Sequence, residues 1–187
     1  NNINGPALHA TIGGGQNNLI QDVDPDTDVM YATIQGGSDN IASAPASTIS
    51  GGRSNEVPID AAYAVISGGD NNTASGNLST IGGGQDNLSG GNSAVVIGGK
   101  NNNASAINGF IGGGENNSAL YQHDIIGGGF QNQINGGYSF IGGGNNNQIL
   151  EYKAYTLKVV RRCCRRRCRV PGGCAEYHIG PADTDQK

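Results

Sequence analysis

The chain has 187 residues and a formal charge of −4, with 33 glycines, only 5% aromatics and no tryptophan. That composition excludes an ordinary packed globular core and leaves disorder or a repetitive architecture, which strict periodicity tells apart. Charge is unevenly divided: residues 1–150 hold two basic side chains against eleven acidic ones, a formal −9, while residues 151–187 hold nine against four, a formal +5. The shift divides a Gly/Asn-rich repeat domain, 1–150, from a basic, cysteine-containing tail or cap, 151–187. No apolar run reaches the ~18–20 residues needed to cross a bilayer. The opening NNINGPALHA has neither the basic start nor the apolar stretch of a signal peptide, so neither a membrane span nor a leader is expected.

Alignment on isoleucine gives nine units, at Ile12, Ile34, Ile49, Ile66, Ile81, Ile97, Ile111, Ile126 and Ile141, spaced 22, 15, 17, 15, 16, 14, 15 and 15 residues apart. Glycine follows two residues after each. Asparagine follows six residues after each, at Asn18, Asn40, Asn55, Asn72, Asn87, Asn103, Asn117, Asn132 and Asn147. A unit of roughly 15 residues is too short for a helical-hairpin repeat, which takes about 33–47. It suits one coil of short strands joined by tight turns, so the chain reads as an all-β β-solenoid of about nine coils. Stacking places each isoleucine over the last in a buried column that no single unit could build. The glycine after the strand supplies a positive-φ corner. The asparagines form a structural ladder of side-chain amides along the axis. At about 4.8 Å per coil the rod is on the order of 40 Å long.

The residue before each isoleucine reads Thr11, Thr33, Thr48, Val65, Thr80, Val96, Phe110, Ile125 and Phe140. In a strand it faces away from the buried side. Threonine suits solvent there, whereas the later apolar residues call for cover, and a parallel trimer about the fibre axis would provide it.

The segments Ser93-Ala-Val-Val-Ile97-Gly98, Ser79-Thr-Ile81-Gly82 and Ser139-Phe-Ile141-Gly142 resemble the S-x-A-I-G repeats of trimeric autotransporter adhesin heads. They are also similar to the I-G-G-G-x-x-N repeats of bacterial surface and phage fibre proteins. The resemblance covers about residues 10–150. It implies a left-handed β-roll wound by three parallel chains, with adhesion as the role.

In the 22-residue gap, Asp22, Asp24, Asp26 and Asp28 set four carboxylates at every second position. Oxygen-only ligands favour Ca²⁺, although the EF-hand glycine and glutamate are missing; the alternative is a solvated acidic loop. The triple glycines are not a phosphate loop. Gly99-Lys100 is followed by asparagine, and the glycines recur every ~15 residues with no helical segment after them. His9, His123 and His178 are scattered without nucleophile or metal-ligand spacing, and His123 beside Asp124 reads as a loop pair. No enzyme is expected.

In the tail, residues 151–160 read as a strand capping the roll. Arg161, Arg162, Arg165, Arg166, Arg167 and Arg169 then form a dense cluster, suited to binding anions or to docking on an acidic shaft. Cys163, Cys164, Cys168 and Cys174 are disulfide candidates with three intrachain pairings, and their spacing matches no zinc template. The expected protein is therefore a non-enzymatic structural or adhesive fibre module, extracellular at a cell surface or on a virion. Its expected partners are copies of itself and surface glycans; nucleic acid is not expected. A filament subunit whose tail docks on the next copy is the first alternative, and a fragment of a depolymerase-type tailspike the second.

Overall fold

The computed structural model describes residues 1–5, 7–21 and 30–150. The aspartates at 22–28 and all the tail arginines and cysteines lie outside them. Within the described residues the chain is all β and contains no helix. Nineteen strands of two or three residues form two parallel sheets. Odd-numbered strands, from β1 (Asn2–Asn4) and β3 (Leu19–Gln21) to β19 (Gln148–Ile149), make a ten-stranded sheet. Even-numbered strands, from β2 (Thr11–Ile12) to β18 (Phe140–Ile141), make a nine-stranded one. A third line of single parallel bridges runs Gln16, Ser38, Arg53, Asp70, Gln85, Lys100, Glu115, Phe130, Asn145. Each coil therefore passes three hydrogen-bonded lines before it lies on the next, which is a parallel β-solenoid of about nine coils.

The strands are short because the side-chain period of two must place one residue inside and its neighbour outside on each face, with a corner immediately after. Ile34, Ile49, Ile66, Ile81, Ile111, Ile126 and Ile141 form a buried column on the nine-stranded sheet. A second inner column, on the ten-stranded sheet, consists of Ile20, Ala42, Val57, Ala74, Ser89, Ala104, Ala119, Ile134 and Ile149. It mixes small and large residues, which is why it does not stand out as a repeat in the sequence.

One unit is framed differently from the isoleucine alignment. Between β10 (Thr80–Ile81) and β14 (Phe110–Ile111), strand β12 is Val95–Val96, and Ile81 pairs with Val96, which pairs with Ile111. Val96 is fully buried, whereas Ile97 is 54% exposed. The spacings of 16 and 14 are therefore 15 and 15. The expected outward residue Val96 faces inward, and Val95 takes the outward place.

The reason lies at the corner, not in the strand. With Val96 inside, glycine also occurs three residues after every core residue, at positions from Gly15 to Gly144. Those glycines adopt φ of +85° to +110°. A Cβ at Gly99 would overlap the Gly114 carbonyl oxygen and lie 2.8 Å from the Gly114 nitrogen. Framing the unit on Ile97 would put Lys100 into that corner, a cost that the larger aliphatic side chain cannot repay. This third-place glycine, rather than the second-place one of the sequence reading, makes the tight left-handed turn. Gly36 and Gly51, at the second place, have open space where a Cβ would go.

The 17-residue unit between Ile49 and Ile66 absorbs its two extra residues after β7 (Glu56–Val57), where Ala61 N–H closes a turn onto Pro58 O at 3.1 Å. The inner columns resume unshifted beyond it. Two further non-glycine columns sit in the left-handed region in every coil, one from His9 to Tyr138 and one from Asn17 to Asn146. None of their eighteen residues is β-branched, as the crowding of that conformation requires.

Candidate functional site

The asparagine column is the chain's most regular polar arrangement. In a typical rung, Asn87 Oδ1 accepts from Asn102 N–H at 3.0 Å and from Asn102 Nδ2 at 3.2 Å. Asn87 Nδ2 in turn donates to Asn72 Oδ1 in the preceding coil, to Gly83 O in its own coil and to Gly99 O in the next. An amide nitrogen has two hydrogens, so three acceptors within reach mean that at least one hydrogen is shared. The same pattern runs through Asn18, Asn40, Asn55, Asn72, Asn87, Asn117, Asn132 and Asn147, and Asn1 occupies the equivalent place before Asn18. Asn103 is not a rung: Asn102 is buried in the ladder, while Asn103 is half-buried on the outer side of β13 (Asn103–Ala104). This is the same one-residue shift that moved Ile97 outside.

With the interior amides paired to one another, chemistry directed outward falls to the outer faces. On the nine-stranded sheet the outward residues are Thr33, Thr48, Val65, Thr80, Val95, Phe110, Ile125 and Phe140, held in strict register. Threonines dominate the first half. Val95, Phe110, Ile125 and Phe140 make a continuous apolar stripe in the second half, with Ile97 beside it, and Ile125 is 40% exposed.

The bridge line presents charge instead. Arg53 grips Asp70 of the next coil with two hydrogen bonds, at 2.9 and 2.7 Å. The guanidinium holds the Asp70 carboxyl below its ordinary pKa, chiefly through those bonds. Among the described residues no group of three or more His, Cys, Asp or Glu could hold a metal ion.

The third outer region is the corner that carries the first left-handed column. His9 stacks on Tyr31 with ring centroids 5.2 Å apart, and His123 stacks on Tyr138 at 4.6 Å. Gln122 Nε2 donates to Tyr138 Oη at 3.2 Å. Next to this cluster an open recess of about 350 Å³ is lined by Ser105, Ala106, Ile107, Leu120, Tyr121 and Gln122. His123 and Asp124 do not act as a pair. His123 lies outside against Tyr138, whereas Asp124 is fully buried and accepts Tyr121 N–H at 2.9 Å and Ser139 N–H at 3.4 Å. Burial raises the pKa of Asp124 above the ordinary carboxylate value, and the backbone donors only partly offset it.

The recess is not evident from the isoleucine alignment. Its signal is a broken column five residues before each core residue: Ala44, Ala61, Gly76, Gly91, Ala106, then Tyr121, then Gly136. A second break, Asp124 in an otherwise Ala/Ser/Gly column, lies in the same coil. Among the described residues no helix is long and apolar enough to cross a membrane. No protein-family model matches the chain, and no curated protein matches its sequence.

Proposed function

We propose that this chain is a non-enzymatic structural and adhesive module of an extracellular fibre, borne on a cell surface or virion, that binds glycans along its outer faces. The observation that carries the reading is the asparagine ladder. It commits the interior amides to holding successive coils in register, which makes a stiff rod whose repeating faces are available for contact. The resemblance of residues 10–150 to adhesin-head and fibre repeats supports the same role.

The apolar stripe of Val95, Phe110, Ile125 and Phe140 supports assembly with further copies. In a parallel trimer three such stripes would meet at the axis and lose their contact with water. Light scattering joined to electron microscopy tests this: an elongated particle of three chain masses is expected, and a monodisperse single chain rules it out. Binding to a glycan array tests the adhesive part.

The charge division favours one second reading, a filament subunit. A body of formal charge −9 and a tail of formal charge +5 on one chain would let the tail of one copy dock on the shaft of the next. Open-ended assemblies that dissolve with added salt would mark that arrangement, because screening weakens exposed charge contacts.

A further inference from the structure

The recess beside Tyr121 is the one place where the repeat departs from its own rules twice in a single coil. Five residues before each core residue the chain places glycine or alanine, which keeps that corner flat; here it places Tyr121, which is 46% exposed. In the three preceding coils the N–H at this corner, from Gly76, Gly91 and Ala106, donates at 3.2 Å to a carbonyl of the next coil. At Tyr121 that N–H turns instead to the Asp124 carboxylate, which is buried to receive it. A buried carboxylate carries a desolvation cost that the usual Ala or Ser in this column avoids. Its presence is accounted for by the corner it holds, one that raises a tyrosine above the flat surface of Ala106 and the coil before it.

The result is a step with an aromatic riser. Ile107 and Leu120 supply apolar floor and wall, Ser105 a hydroxyl and Gln122 an amide. Gln122 uses one amide hydrogen on Tyr138, and a carboxamide has a second hydrogen and a carbonyl oxygen besides. All six lining residues are uncharged. A shallow site with an aromatic face, aliphatic neighbours and a few neutral hydrogen-bonding groups suits a ligand that is apolar on one side and hydroxylated at its rim.

We infer that the Tyr121 step binds a neutral hexopyranose ring of a glycan chain, its C–H face on Tyr121 and Ile107 and its hydroxyls directed to Gln122 and Ser105. This deepens the proposed glycan binding and rests on that reading. The acidic body, formally −9 over residues 1–150, works against uronic acids and sulfated sugars at the same place.

Titration calorimetry of the full chain with laminarihexaose, cellohexaose, maltohexaose and chitohexaose, with hexamannuronate as the charged comparison, tests the inference. At least one neutral hexasaccharide is expected to bind, and hexamannuronate more weakly. Tyr121→Ala should lower the affinity about tenfold or more, as loss of an aromatic anchor does. Tyr63→Ala, which removes a tyrosine 62% exposed on another coil, should leave it unchanged. Alanine is the residue the repeat already uses at the Tyr121 place, so that variant should keep its β-sheet circular dichroism; should it not, Gln122→Ala and Ile107→Ser carry the same expectation. If the wild type binds and Tyr121→Ala binds equally, the site is wrong and the glycan reading stands. If the wild type binds none of the neutral hexasaccharides, the site and the glycan reading fall together.

Discussion

The side-chain oxygen of Asn87 accepts two hydrogen bonds from Asn102, one from its backbone N–H and one from its amide, so that a single atom locks two successive coils in register. Truncating Asn87 would orphan both donors on Asn102, the Asn72 oxygen, and the Gly83 and Gly99 carbonyls that its amide reaches. Asn87→Ala should therefore cost about 3 kcal/mol or more, read as a lower midpoint in urea unfolding. A loss below about 1 kcal/mol would mean that the ladder is not what holds the coils together.

The framing of the Val95–Val96 unit makes a paired test. Val96→Asp puts a charge into the closed interior and should prevent folding. Ile97→Asp replaces an exposed side chain and should change stability by no more than about 0.5 kcal/mol. Similarly, Asn102→Ala should match Asn87→Ala, whereas Asn103→Ala should be mild. The reverse order in either pair would restore the isoleucine frame.

Corner glycines and left-handed side chains respond oppositely to substitution. Gly84→Ala drives a methyl into the Gly99 carbonyl at a φ of +90°, and should cost more than about 2 kcal/mol. Gly51→Ala meets open space and should be tolerated. Leu78 holds φ at +59° and is 59% exposed, so Leu78→Gly relieves a left-handed strain of about 1–2 kcal/mol against a glycine entropy cost of about 0.5–1 kcal/mol. A small rise in melting temperature is expected.

Two buried hydroxyls, Ser79 Oγ and Ser89 Oγ, have no hydrogen-bond partner. Each stands in a column where other coils use alanine, among them Ala94 and Ala104. Ser79→Ala and Ser89→Ala should each stabilise the fold by about 1 kcal/mol, measured by denaturant unfolding. A loss of stability on either change would show that the hydroxyl is satisfied in solution.

Asp124 links stability to pH. Its folded-state pKa is raised above the ordinary 3.8, so below that value both states hold the proton and it has no effect. As pH rises through the ordinary carboxylate range the unfolded state ionises first, and the fold loses stability until Asp124 ionises in place. Asp124→Asn keeps an acceptor for Tyr121 N–H without the charge, so its stability relative to wild type should increase as pH rises from about 4 towards neutrality. A difference that does not change with pH would show that burial does not perturb the carboxyl.

The sequence alone determined that this is a stack of ~15-residue coils, because each coil obeys the same local rule. An aliphatic residue, a glycine corner and an asparagine recur at constant offsets wherever the unit is unambiguous, as at Ile81, Gly83 and Asn87. It could not decide between Val96 and Ile97, two adjacent aliphatic residues that both satisfy the inward place. That choice belongs to the contact between Gly99 and Gly114 of the next coil, which leaves no room for the Cβ of Lys100. The second inner column was hidden for a related reason: Ala74, Ser89 and Ile134 share a place, not a chemistry, and only stacking shows that they share it. The recess at Tyr121 likewise exists only in three dimensions. A side chain becomes a wall when the residue registered beneath it in the preceding coil is small, and register is a property of the stacked coils.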